Sequence, residues 1–222
     1  MANNRPDPAE PVRKKSFPVA WVTSGRELLI VGGCMNNLCR LKHAIQFDWE
    51  TITVATPPDE APMCETCLAD PRVTLKTGGA EEEDVRRASL VIECTMDQDV
   101  GEQAAALCRD HKVPINAMDK LELCDLHYPA LMMRGPLILA IISGGAAPAL
   151  SSRLRTWLEE HLGPGWDLAA RLFSETRNRL PGGQSRSDLL KKLANDPRLF
   201  ELIEENNEMS MREWIDDEVN RM

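Results

Sequence analysis

No apolar run in this 222-residue chain reaches the roughly 18 residues a membrane span needs, because charged residues interrupt every candidate stretch. The start, MANNRPDPAEPVRKK, carries no apolar segment after its basic residues, so it reads as a polar extension and a secretion signal is not expected. Residues 1–15 are therefore expected to be a disordered polar extension, and the protein to be cytoplasmic with no membrane partner. Basic excess is missing as well: a net charge of -9 argues against a surface built to hold nucleic-acid phosphates. A secreted disulfide framework is also missing, since the seven cysteines are odd in number and irregular in spacing. Cys64 and Cys67 form one CxxC, but no second ligand pair stands at the spacing a tetrahedral zinc site wants, so no metal site is expected. There is no internal repeat.

What is present is an ordinary globular composition, 43% hydrophobic and 27% charged, in a chain long enough for one substantial core and a smaller accessory unit. Leu28 to Val31 is an apolar strand stopped by two glycines, and Leu38, Leu41, Ala44 and Ile45 then recur at helical spacing within Asn36 to Phe47. TITVAT is a second strand, ended by Pro57 and Pro58. Strand, helix and strand in about 30 residues make a parallel βαβ unit. A short strand at Arg72 to Lys76, the polar segment GGAEEEDVRRA, the strand SLVIECT, a helix over DQDVGEQAAALCRDH with Val100, Ala104, Leu107 and Cys108 inward, and the strand VPINAM extend the alternation. This pattern predicts a doubly wound parallel sheet of Rossmann type, whose ligands sit beyond the carboxyl ends of the strands. Those ends are the segments after Val31, Ala55, Cys94 and Ala117.

From Pro136 the texture changes. PLILAIISGGAAPAL is a strand entering a Gly/Ala turn, SSRLRTWLEEHLG is a helix, and beyond Pro164 only helical patterns remain, which suits a small all-helical module or a dimer surface. The expected fold is α/β: a Rossmann-like domain over residues 16–126, a dimerisation region over 127–160 and a helical domain over 161–222.

Two constellations carry chemistry. In a dinucleotide turn the first glycine permits the tight turn, the second admits the pyrophosphate and the third position wants a small side chain. Gly32 fills the first role, whereas Cys34 stands at the second and Asn37 at the third. No acidic residue closes the second strand to hold a ribose. The turn reads either as a nicotinamide loop or as plain punctuation between strand and helix. Further on, Asp119 follows a strand at its carboxyl end, where a carboxylate is well placed for proton transfer, and Ser143 precedes two glycines. A turn cap is the alternative for Asp119, and a local backbone partner is the alternative for Ser143. His127 reads as a structural histidine, and Arg153 and Arg155 as a solvated helix face.

The stretches GRELLIVGG, ITVATP, LVIECTMD, INAMDKLELCDLHYPA and RGPLILAIISGGAAPALSSRLR, with the helical tail, resemble the amino-terminal half of siroheme synthase. They resemble equally the stand-alone precorrin-2 dehydrogenases and sirohydrochlorin ferrochelatases, from about Phe17 to near the carboxyl end. The resemblance implies a homodimer that oxidises precorrin-2 to sirohydrochlorin with NAD, some members also inserting iron. It implies a catalytic Asp119, nucleotide contacts at Gly32, Gly33, Met35, Asn36, Pro57, Pro58 and Thr95, and a tetrapyrrole side that includes Asn116 and Ser143. One carboxylate can serve both reactions, because dehydrogenation and metal insertion each release protons. The departures at Cys34 and Asn37 keep two other readings open: a chelatase or tetrapyrrole handler without NAD, and a silent scaffold.

Overall fold

The computed structural model describes residues 16–32, 35–56 and 69–221, leaving aside the side chains of residues 35–39. The chain divides into two compact units, Met1–Tyr128 and Pro129–Met222.

The first unit is built on five parallel strands: β1 (Glu27–Val31), β2 (Thr51–Thr56), β3 (Val73–Thr77), β4 (Leu90–Glu93) and β5 (Ile115–Ala117), in the order β3-β2-β1-β4-β5. The central strands β1 and β4 are short, mainly apolar runs because both of their faces are covered, as parallel sheets require. One face packs Leu28, Ile30, Ile52 and Val54 with Leu41 and Ala44 of helix α1 (Met35–Ala44). The other packs Leu29, Val31, Val91 and Ile115 with Ala104, Ala105 and Cys108 of helix α3 (Gln98–His111). Each fully buried aliphatic side chain contributes about 1.5–3 kcal/mol. Burial, with a smaller push from the Asp125 charge, raises the Cys108 thiol to about 12, so this cysteine behaves as a core residue and not as a nucleophile.

Two local expectations are corrected. The polar segment GGAEEEDVRRA contains a helix, α2 (Glu82–Arg87), because the Asp84 carboxylate accepts from Glu81 N at its start and Val85 is fully buried beneath it. Val100 lies at the surface, 36% exposed, and Gly101 takes the inward position in α3. That helix is capped by Asp97, whose side chain accepts from Asp99 N and Val100 N, and it ends at Lys112 in the left-handed region.

The second unit opens with an antiparallel ribbon, β6 (Ala130–Arg134) and β7 (Leu137–Ile141); only β7 was expected from the sequence. Helix α4 (Pro148–His161) follows, and the Arg134 guanidinium donates to the carbonyls of Glu159 and Leu162 at its carboxyl end. Helices α5 (Gly165–Arg179), α6 (Gln184–Asn195), α7 (Arg198–Glu205) and α8 (Glu208–Asn220) enclose Leu172, Leu193, Leu202, Met211, Trp214 and Ile215. Among the described residues no helix is long and apolar enough to cross a membrane.

Candidate functional site

The strand order turns around between β1 and β4: β2 and β3 lie on one side of β1, β4 and β5 on the other. Ligands of such sheets lie in the crevice that opens there, beyond the carboxyl ends of the two strands. Gly32 leaves β1 at φ +108°, and its amide donates to Ala55 O at 2.8 Å. A Cβ at Gly32 would stand 3.1 Å from both the amide nitrogen and Cγ2 of Thr95 and 3.2 Å from the Cys94 carbonyl carbon. Only glycine suits that conformation and that close approach. The exits of β1 and β4 therefore run tight against each other, with Thr95 as the β4 wall. This arrangement fits the first-glycine role of a dinucleotide turn.

Thr95 is held by a buried ion pair that sequence reading missed. Glu93 is fully buried and Lys120 is 5% exposed. Glu93 Oε1 accepts from Thr95 N at 2.6 Å and from the Thr95 hydroxyl, while Oε2 accepts from Lys120 Nζ at 2.8 Å. Lys120 Nζ donates a second bond to Thr95 O at 2.8 Å. The lysine stem reaches Glu93 by passing over Gly101, where a Cβ would stand 2.7 Å from Lys120 Cδ and 2.8 Å from Cε. This close passage accounts for a glycine inside α3, where it costs about 1 kcal/mol relative to alanine. The one visible signal was an acidic residue within the apolar run LVIEC, and nothing local pointed to a lysine 27 residues away as its partner.

Asp119 directly precedes Lys120 in the turn after β5, is exposed, and has φ +59°. Asparagine and aspartate tolerate that left-handed conformation better than most residues. The turn is held from beneath: Cys124 Sγ lies 3.2 Å from Ala117 N and 3.1 Å from Ala117 O, and Asn116 Nδ2 donates to Leu126 O at 3.0 Å. Asn116 is 7% exposed, so its amide is engaged in fixing the segment after Asp119.

Gly33, Cys34, Pro57, Pro58, Cys64 and Cys67 lie outside the described residues, as do the side chains of Met35, Asn36 and Asn37 and the extension 1–15. In the second unit the Ser143 hydroxyl accepts from Ala147 N at 3.1 Å, a local turn bond. Arg155 pairs with Glu159 at 2.6 Å, and Arg153 lies 3.9 Å from Glu160. Among the described residues no group of three or more His, Cys, Asp or Glu side chains is arranged to hold a metal ion.

A family model described as "Putative NAD(P)-binding" matches residues 19–130, about half of the chain. The chain belongs to this NAD(P)-binding family. Other similarities extend beyond the NAD(P)-binding domain. Siroheme synthase of Thioalkalivibrio sulfidiphilus is 28% identical over 90% of the chain, which covers 41% of that protein. Siroheme biosynthesis protein met8 of Schizosaccharomyces pombe is 26% identical over 74% of the chain and 63% of its own length. The chain thus spans about two fifths of the siroheme synthase it matches. The solved structure of SirC, precorrin-2 dehydrogenase, superposes with a TM-score of 0.68 at 24% identity, over 86% of this chain and 98% of that one, and shows that the two share a fold.

Proposed function

We propose that the chain is a precorrin-2 dehydrogenase of siroheme synthesis, using NAD to oxidise precorrin-2 to sirohydrochlorin. The observation that carries this reading is the exposed Asp119 carboxylate in the turn after β5, one residue from the lysine bound to Thr95 O at the exit of β4. Gly32, Gly33, the start of α1 at Met35 and Asn36, Pro57, Pro58 and Thr95 would hold the dinucleotide. Bound NAD supplies the hydride acceptor. The substrate gives up a hydride and a proton, and Asp119 accepts the proton as general base. The same carboxylate can accept pyrrole N–H protons when iron, a substrate, is inserted into sirohydrochlorin. Asn116 serves by fixing the segment behind Asp119, and the family resemblance is what assigns Ser143 to the tetrapyrrole.

The reading extends to organisation and setting: a cytoplasmic homodimer with a cofactor domain over residues 16–126, a dimerisation region over 127–160 and a helical domain over 161–222. The apolar side chains that β7 and α4 leave exposed support the dimer. The similarity to siroheme synthase and to SirC supports the substrate.

The test is a titration of the purified chain with NAD, followed by absorbance assays on precorrin-2 with and without the cofactor. Saturable binding and NAD-dependent conversion to sirohydrochlorin are expected. No binding at millimolar NAD together with no oxidation overturns the reading. Cys34 and Asn37, which add bulk to the glycine turn, favour a second reading in that event: a chelatase or tetrapyrrole-binding protein without dehydrogenase activity. Iron insertion into sirohydrochlorin by the same sample distinguishes it.

A further inference from the structure

Burying a carboxylate and an ammonium together is a poor route to stability, since desolvation of the two ions commonly offsets their attraction. The Glu93–Lys120 pair is buried all the same, and its four hydrogen bonds have a common geometry. Three converge on one residue: Thr95 is gripped at its N–H and hydroxyl by Glu93 and at its carbonyl by Lys120. The fourth joins the two grips. Thr95 forms the β4 wall against Gly32, and Lys120 is bonded covalently to Asp119. Two segments that the sheet alone would leave as separate strand exits are thereby tied into one body.

Resting on the reading above, we infer that Glu93 and Lys120 are positioning residues, which set the cofactor wall at Thr95 and the proton acceptor Asp119 in one fixed relation. Neither touches the reacting atoms. A small displacement of such a support is expensive in rate, because a misplacement near 1 Å can cost about a hundredfold. Gly101 belongs to the same device, since it leaves the channel through which the lysine stem reaches Glu93.

The experiment uses the full-length chain with Glu93→Gln and Lys120→Met combined, so that neither charge is left without its partner. Four quantities are read: the Kd for NAD, kcat and KM for precorrin-2, and the hydrogen-exchange rate of the Thr95 amide. We expect faster Thr95 exchange, a Kd for NAD raised about tenfold, equivalent to about 1.4 kcal/mol, and kcat lowered about a hundredfold with KM for precorrin-2 little changed. Placed in an Asp119→Asn background, the same pair of substitutions should lower kcat by clearly less than in the wild-type background, whereas an independent general defect would add its full factor. Gly101→Ala crowds the lysine stem without altering either charge and should raise the Kd for NAD in the same direction, which keeps the test decisive if the double variant does not fold.

A folded double variant, or a folded Gly101→Ala variant, with unchanged NAD affinity and unchanged kcat overturns the inference. A wild-type chain that binds NAD but leaves precorrin-2 untouched overturns the dehydrogenase reading alone, and the NAD affinities and Thr95 exchange then decide the cofactor-wall half of the inference. A wild-type chain that binds no NAD overturns both.

Discussion

Asp119 owes its place to a turn in the left-handed region, and that backbone constraint shapes how it should be tested. Alanine at φ +59° adds about 1 kcal/mol of backbone strain to the loss of the carboxylate, whereas asparagine accepts the conformation and keeps nearly the same shape. Asp119→Asn should therefore retain the thermal midpoint while lowering precorrin-2 turnover by about a hundredfold to ten-thousandfold, the range for loss of a general base. Full turnover by a folded Asp119→Asn protein would remove Asp119 from the mechanism. Asp119 was legible in the sequence because a polar residue at the end of an apolar strand is a local feature, and INAMD displays it in five letters. Glu93 was visible only as an oddity in LVIEC. Its meaning depends on Lys120, which no local pattern connects to it.

At the scale of elements, Arg72 joins the end of α1 to the sheet. Its Nη1 donates to Phe47 O at 2.6 Å and its Nη2 to Ile45 O at 2.7 Å, while Nε and Nη2 donate to the Asp70 carboxylate. Hydrogen bonding from Arg72 holds Asp70 down at about 2, below its ordinary 3.8. Because the folded state lowers this pKa, the stabilisation is fully present above about pH 4 and is lost as pH falls toward 2. Urea midpoints for wild type and Asp70→Asn should differ at pH 5 and converge by pH 2; a gap that persists at pH 2 would mean that the carboxylate charge is not its source. The elements themselves were largely legible. TITVAT is β2 to the residue, and the helical tail falls where its apolar spacing put it. Two were not. Strand β6 was overlooked because ALMMR has no alternation of its own and takes its form by pairing with β7. Helix α2 was overlooked because its apolar contribution is a single valine, and its start depends on an Asp84–Glu81 bond supported by Lys76.

For the whole molecule, the second unit bears on assembly. A two-stranded ribbon is marginal in water without further cover, yet Leu137, Ile138 and Ile142 in and beside β7 are exposed, as are Leu150, Leu154 and Trp157 along α4. The proposed homodimer would cover these side chains. Sedimentation at micromolar concentration should return twice the 24.8 kDa chain mass, and Leu154→Asp should return the single mass without unfolding the helical core around Leu172 and Trp214. A Leu154→Asp protein that stays at the double mass would exclude this face as the interface.

The sequence by itself determined the alternation of strands and helices, the change of texture after Pro136, the glycine at the end of β1 and the carboxylate at the end of β5. These are local properties: side-chain periodicity and turn chemistry act over a few residues and can be read within them. Only the tertiary structure decided the strand order that brings the exits of β1 and β4 together, the inward turn of Gly101 in place of Val100, and the Glu93–Lys120 bond that grips Thr95. Each of these is a contact between segments far apart along the chain. Burial and charge pairing select such contacts after the elements have packed, and no stretch of sequence contains both halves.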